Sequence, residues 1–344
     1  MLERWLPAVH VPSVQLGAWP TPIATIELAG RPIWVKREGD SDARYGGNKL
    51  RTLEAWFGEA RARGVRKIWA TGAFGSNHAV ATLVHAARAG LDAGAILFPQ
   101  PTSPWARENA LGMIATGCEL RCIGTVATLP FAMLRVRAPD ALVMPPGGAT
   151  PIGTFGALAA ALELADQVRE GSLPAPARIV LAAGSTCTAA GLLAGLAVAR
   201  AIGAWTRETI VHAVRVTPWP VTSRVRIARL AQQTLARLAA LGGPTTGETL
   251  RSLHARLAID PGELGPGYGE PTPTAAAALV ELSTAAGAPR LDGVYSAKAA
   301  AALVRLHHAG DAPLLFWATK STALAAPPAD LSRAPRALRR WLVA

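Results

Sequence analysis

Short apolar runs alternate with helical stretches from residue 50 onward, and a chain with this pattern has few ways to bury itself. Residues 67–71 (KIWAT) are predicted to form a strand and 79–89 a helix; 94–98 is the next strand and 105–116 the next helix. Further on, 178–183 (RIVLAA) and 209–216 read as strands, each followed by a helix, at 189–202 and 222–241. The last strand is 314–318 (LLFWA). Strands separated by helices pair in parallel, so an α/β architecture around largely parallel sheet is expected. With 344 residues there is material for about two domains.

Three turn-rich segments break the alternation: 39–47 (GDSDARYGG), 145–153 (PPGGATPIG) and 261–273 (PGELGPGYGEPTP). The first two are expected to mark crossings between domains. The third holds Tyr268, one of only three tyrosines, in the kind of loop that carries binding residues.

Half of the residues are hydrophobic and 17% are charged, which excludes a disordered chain. The small-apolar stretch 189–199 is too short to span a bilayer, and MLERWLPAVH lacks the layout of a secretory signal. A cytoplasmic protein with no membrane partner is expected. The net charge of +12 invites a nucleic-acid reading. However, only Lys36, Lys49, Lys67, Lys298 and Lys320 among the 35 basic residues are lysine, and the arginines are dispersed. That balance follows genome base composition, so no nucleic-acid partner is expected and each lysine calls for an explanation. Cys118, Cys122 and Cys187 are too few for a disulfide framework. Cys118 and Cys122 are spaced to share a helix face, but no third ligand stands nearby and no metal is expected.

Three segments carry chemistry together. In Gly46-Gly47-Asn48-Lys49-Leu50-Arg51 a lysine opens a helix, where the dipole lowers its pKa and favours Schiff-base formation with a carbonyl. Alone it would read as a solvated first-turn residue. Gly75-Ser76-Asn77-His78 follows a strand and opens a helix, presenting N–H groups that suit a carboxylate; alone it would be an N-cap. Gly184-Ser185-Thr186-Cys187-Thr188 joins a strand to a helix as a cup for one phosphate, without the Lys of a Walker loop or the spacing of a dinucleotide fingerprint. Schiff-base lysine, phosphate cup and carboxylate loop are the parts that pyridoxal 5'-phosphate needs to act on an amino acid.

With these segments, Pro20-Thr21-Pro22, Val35-Lys36-Arg37-Glu38, Pro145-Pro146-Gly147-Gly148, Gly265-Pro266-Gly267-Tyr268-Gly269 and Val294-Tyr295-Ser296-Ala297-Lys298 complete an ordered set across most of the chain. The set resembles the D-cysteine desulfhydrase and 1-aminocyclopropane-1-carboxylate (ACC) deaminase family of fold-type II pyridoxal-phosphate enzymes. The resemblance implies two open, twisted, mostly parallel sheets flanked by helices, with the cofactor in the interdomain cleft. The implied domains are residues 1–50 plus 155–344, and residues 51–154. It further implies a homodimer and a small-molecule amino-acid substrate.

By that resemblance Lys49 forms the Schiff base and moves the Cα proton, and Asn77 bonds the cofactor's phenolic oxygen. Ser76, Asn77 and His78 hold the substrate carboxylate. Gly184, Ser185, Thr186, Cys187 and Thr188 hold the phosphate. Tyr268 and Tyr295 flank the ring and substrate, and Ser296 and Thr319 stand near the cofactor. Ser296, where deaminases carry an acidic residue, together with Thr319 and His78, points to β-elimination from a D-cysteine-type substrate. ACC deamination, a β-replacing or tailoring enzyme for an unusual amino acid, and a non-catalytic binding paralogue are the alternatives. Lys320 and Ser321 depart from the family's Gly-Gly, Ala81 from its Gln, and Cys187 from a glycine.

Overall fold

The computed structural model describes residues 1–328 and 330–344. Among these residues ten strands form two sheets. The first, in the order β1-β2-β10-β7-β8-β9, contains β1 (Ile23–Leu28), β2 (Arg31–Arg37), β7 (Arg178–Ala183), β8 (Ile210–Arg215), β9 (Leu257–Asp260) and β10 (Leu314–Ala318). The second, in the order β5-β4-β3-β6, contains β3 (Lys67–Ala73), β4 (Asp92–Phe98), β5 (Glu119–Cys122) and β6 (Ala141–Val143). All pairs are parallel except β1–β2. Parallel strands covered on both faces must be apolar throughout, which is why RIVLAA and LLFWA were legible without alternation.

The helices before the second sheet's end are α1 (Lys49–Ala62), α2 (Asn77–His85), α3 (Pro104–Ala115) and α4 (Leu129–Arg135). They are followed by α5 (Pro151–Arg169), α6 (Cys187–Ala201), α7 (Arg224–Ala240) and α8 (Leu250–Ala255). The last are α9 (Pro273–Ser283), α10 (Ser296–His308) and α11 (Arg336–Val343). Leu50, Leu53 and Phe57 of α1 pack with α2 and the second sheet, whereas α5 and α6 share a core with β7 and β8. Segment 39–47 leads from β2 of the first sheet to α1, which packs on the second, and 145–153 leads from β6 of the second sheet to α5, which packs on the first.

Two features differ from the sequence expectation. A β1–β2 hairpin precedes residue 50; Ala29 (φ 49°) and Gly30 (φ 71°) make the two-residue turn whose positive φ angles match strand twist. Its only sequence cue is Gly30, because Ala is a poor turn residue. Cys118 and Cys122 do not share a helix face. Gly117 in the left-handed region (φ 68°) ends α3, so Cys118 lies in a turn and Cys122 ends β5.

A buried ionic cluster ties the first turn of α1 to both β2 and α5. The Arg51 guanidinium donates to both Glu38 oxygens (2.7 and 2.8 Å) and both Glu163 oxygens (2.9 and 3.1 Å), and stacks 3.8 Å from the Trp19 ring. Lys36 Nζ donates to Glu163, to Gln167 Oε1 (2.6 Å) and to the Thr21 carbonyl (2.8 Å). Two cations thus meet two carboxylates away from water. Replacing Arg51 by Met leaves the buried Glu38 without a cation and Glu163 with Lys36 alone, and is expected to cost roughly 3–5 kcal/mol in denaturant unfolding. A loss below about 1 kcal/mol would mean that the cluster is solvated.

Candidate active site

A cavity of about 530 Å³ lies at the carboxyl ends of strands from both sheets, where open α/β folds bind ligands. Four helix N-termini reach it: Lys49 begins α1, Asn77 begins α2, Cys187 begins α6, and Tyr295 precedes α10. Their unpaired N–H groups make the region favourable for anions.

Lys49 lines the cavity, and burial pushes its pKa below the usual lysine range. Asn48 Nδ2 donates to Thr188 Oγ1 (2.8 Å), joining the starts of α1 and α6. The lysine loop needs Gly47: its φ is 104°, and a Cβ there would lie 2.7 Å from the Thr319 carbonyl.

Ser76 is the N-cap of α2, its Oγ accepting from Ala79 N (3.2 Å). The first intrahelical bond runs from Val80 N to the Ser76 carbonyl, so the Asn77 and His78 N–H groups precede it. The N-cap role and a carboxylate-binding role are thus compatible.

At the third turn Thr186 adopts φ 75°, a strained conformation for a residue with a Cβ. Its buried Oγ1 has no hydrogen-bond partner among the described residues. Gly184, Ser185, Thr186, Cys187 and Thr188 all face the cavity. A strained helix start with an orphaned hydroxyl fits a bound phosphate, which would hold the strain and satisfy the hydroxyl. Cys187 is fully buried, and burial pushes its thiol pKa up.

Tyr268 and Tyr295 meet edge to face (6.0 Å, 70°) with their hydroxyl oxygens 2.5 Å apart. Burial pushes Tyr268 up to about 12 and raises Tyr295 well above the usual tyrosine value, so both are protonated at neutral pH. Lys298 Nζ holds the Tyr268 loop by donating to the Leu264 carbonyl (2.8 Å).

The cavity therefore brings together Lys49, Ser76, Asn77, His78, the 184–188 loop, Tyr268, Tyr295 and Thr319. Ser296 is not among its lining residues. Its Oγ donates to Asp292 Oδ2 (3.1 Å), while Asp292 Oδ1 accepts from Val294 N and Tyr295 N. Asp292 is thus the buried group that fixes the start of α10. Sequence reading missed it, along with Asn109, whose role depends on a contact between separate helices.

The family model described as "Pyridoxal-phosphate dependent enzyme" matches residues 14–315. The chain belongs to that family. Among relatives of this pyridoxal-phosphate enzyme, the nocardicin C-9' epimerase of Nocardia uniformis subsp. tsuyamanensis is 34% identical over 91% of this chain and 93% of that protein. A putative ACC deaminase of Pyrococcus furiosus is 31% identical over 84% of each. The D-cysteine desulfhydrase of Salmonella paratyphi A is 29% identical over 84% of this chain and 86% of its own. A crystal structure of an ACC deaminase homologue superposes with a TM-score of 0.74 at 28% identity, covering 94% of both chains. The two helix-flanked sheets are the fold-type II architecture. Among the described residues no helix is long and apolar enough to cross a membrane.

His78 provides a test of the cavity's dryness. Neither ring nitrogen has a hydrogen-bond partner among the described residues, and burial pushes its pKa down to about 3. An unfolded histidine titrates near 6.5. The unfolded state therefore takes up the proton first, and stability is lost as pH falls from about 6.5 toward 3. Without cofactor, the native protein should lose up to about 1 kcal/mol per pH unit more than His78→Gln across this window, measured by denaturant unfolding. Equal slopes would place water on the imidazole.

Proposed function

We propose that this enzyme acts at Cα of an amino acid bulkier than cysteine, as a tailoring enzyme that removes and returns the α-proton. The observation that carries this reading is the outer wall of the cavity. Phe98, Pro101, Val126, Pro218 and Val221 line it, and Trp219 is exposed beside them. At about 530 Å³ the cavity lies within the range of pockets for drug-sized ligands, roughly 300–1,000 Å³. Polar groups gather at the helix starts and an apolar side remains for a large substituent. The similarity to an epimerase over nearly the whole chain supports the same reading.

When bound, pyridoxal phosphate supplies an electron sink that acidifies the α-proton. In this proposal the 184–188 loop would hold its phosphate, and Asn77 would donate to its phenolic oxygen. Ser76 and the N–H groups of Asn77 and His78 would hold the substrate carboxylate. Lys49, with its lowered pKa, would accept the α-proton. The protonated Tyr268–Tyr295 pair would deliver a proton within the site, with Thr319 beside the ring. The two cores would be domains, residues 51–154 and residues 1–50 plus 155–344, closing on the substrate.

Elimination from D-cysteine is the second reading, favoured by His78, Thr319 and the desulfhydrase relatives. Ser296 no longer argues for it, since its hydroxyl is engaged with Asp292.

A panel of amino acids of both hands, assayed for α-proton exchange in deuterium oxide and for 2-oxo acid release, separates the readings. Exchange or inversion of substrates with large apolar substituents is expected at kcat/KM about tenfold or more above turnover of D-cysteine or ACC. Lys49→Ala should lose about 10²–10⁴-fold in rate. Efficient pyruvate and sulfide release from D-cysteine, with bulky amino acids inert, would overturn the proposal.

A further inference from the structure

Lys320 is 3% exposed and does not line the cavity, yet it touches a residue that does. Its Nζ donates to Asn77 Oδ1 (3.2 Å) and Asn109 Oδ1 (3.1 Å), lies 3.6 Å from Glu108 Oε1, and sits 5.7 Å from the centre of the Tyr45 ring.

These contacts determine which way the Asn77 carboxamide points. Asn109 Nδ2 donates to the Gly75 carbonyl (2.9 Å), which fixes the orientation of Asn109. The same Nδ2 donates to Asn77 Oδ1 (2.9 Å). Tyr45 Oη lies 2.8 Å from Asn77 Oδ1 and 2.9 Å from Asn109 Oδ1, and its single proton serves one of them. Asn77 Oδ1 thus faces two obligate donors, an amide and an ammonium. Its Nδ2 is left for the cavity.

We propose that Lys320 is a positioning residue: with Asn109 and Tyr45 it orients Asn77 as a donor to the cofactor's phenolic oxygen and adds a positive charge that stabilises that oxygen as an anion. This rests on the pyridoxal-phosphate reading of the cavity. It also gives a role to a lysine that stands where the resembled family carries glycine.

The other charges around Lys320 balance. Glu108 on α3 is shared with Arg290, which also donates to the Ser321 carbonyl (3.3 Å), and Asp292 lies buried before α10. Lys49 and the neutral His78, Cys187, Tyr268 and Tyr295 line the cavity with Asn77. Burial lowers the Lys320 pKa, while Asp292 and Glu108 oppose that loss.

The readout is the pH midpoint of the reconstituted holoenzyme's visible absorbance, which reports the proton on the nitrogen joining Lys49 to the cofactor. A weaker donor to the phenolic anion and the loss of a nearby cation both favour that proton. Lys320→Met should therefore raise the midpoint by about one unit. Lys320→Gln, a neutral donor, should raise it less. Tyr45→Phe keeps the cation and should give a smaller rise in the same direction. An unchanged midpoint in cofactor-loaded Lys320→Met overturns the proposal. Should both lysine variants fail to fold, an unchanged midpoint in Tyr45→Phe overturns it instead. A native protein that stays colourless with pyridoxal phosphate fails at the parent reading, a result distinct from a coloured protein whose midpoint ignores Lys320.

Discussion

The first turn of α1 is held from below by charge. Arg51, two residues beyond Lys49, lies between Glu38 after β2 and Glu163 in the middle of α5, and Lys36 closes the cluster. Desolvating four charges is costly, and the arrangement persists because each carboxylate oxygen meets at least one donor. Such clusters define position more than they add stability. The result is that the start of α1, helix α5 and the N-terminal hairpin are mutually fixed. This matters because a misplacement of about 1 Å at a reacting atom costs far more than a slightly less stable core.

Close backbone approach transmits that registration. A Cβ on Gly156 of α5 would lie 2.0 Å from the Arg51 carbonyl, and one on Gly191 of α6 would lie 2.5 Å from Ala157 Cβ. Helices α1, α5 and α6 therefore stack with almost no intervening side chain, and the starts of α1 and α6 arrive together at the cavity. Anchored from that side, the start of α2 meets them from the other sheet. Convergent helix starts supply N–H donors and positive potential where no side chain need be spent.

Much of this was legible because it is local. Strand–turn–helix units announce themselves by an apolar run, small residues and a helix, and two of the three chemical loops, 75–78 after β3 and 184–188 after β7, are of that kind. The β1–β2 hairpin was not legible, since a turn through Ala29 relies on its neighbours to hold a positive φ. Spacing misled at Cys118 and Cys122, where Gly117 ends the helix that their separation suggested. Ser296 stood out by family resemblance, and its bond to Asp292 four residues earlier could not be read from the motif. Asn109 and Glu108 carry no local signature at all; a buried Asn on a helix acquires meaning only through what the fold sets against it.

The scarcity of lysine sharpens this picture. In a chain that otherwise uses arginine, four of five lysines are buried or line the cavity. A guanidinium is a planar fork suited to paired carboxylate oxygens, as at Arg51, whereas an ammonium is compact and directs three donors apart. Lys36 meets three oxygens from three residues, and Lys320 meets two carboxamides and a carboxylate. Lys298 reaches a single carbonyl, and Lys49, in the role proposed for it, needs a primary amine to condense with an aldehyde. Only Lys67, pairing with Glu119 near the surface, occupies a place where arginine would serve equally well. Where arginine is the default cation, a lysine marks a site at which geometry or chemistry excludes the fork.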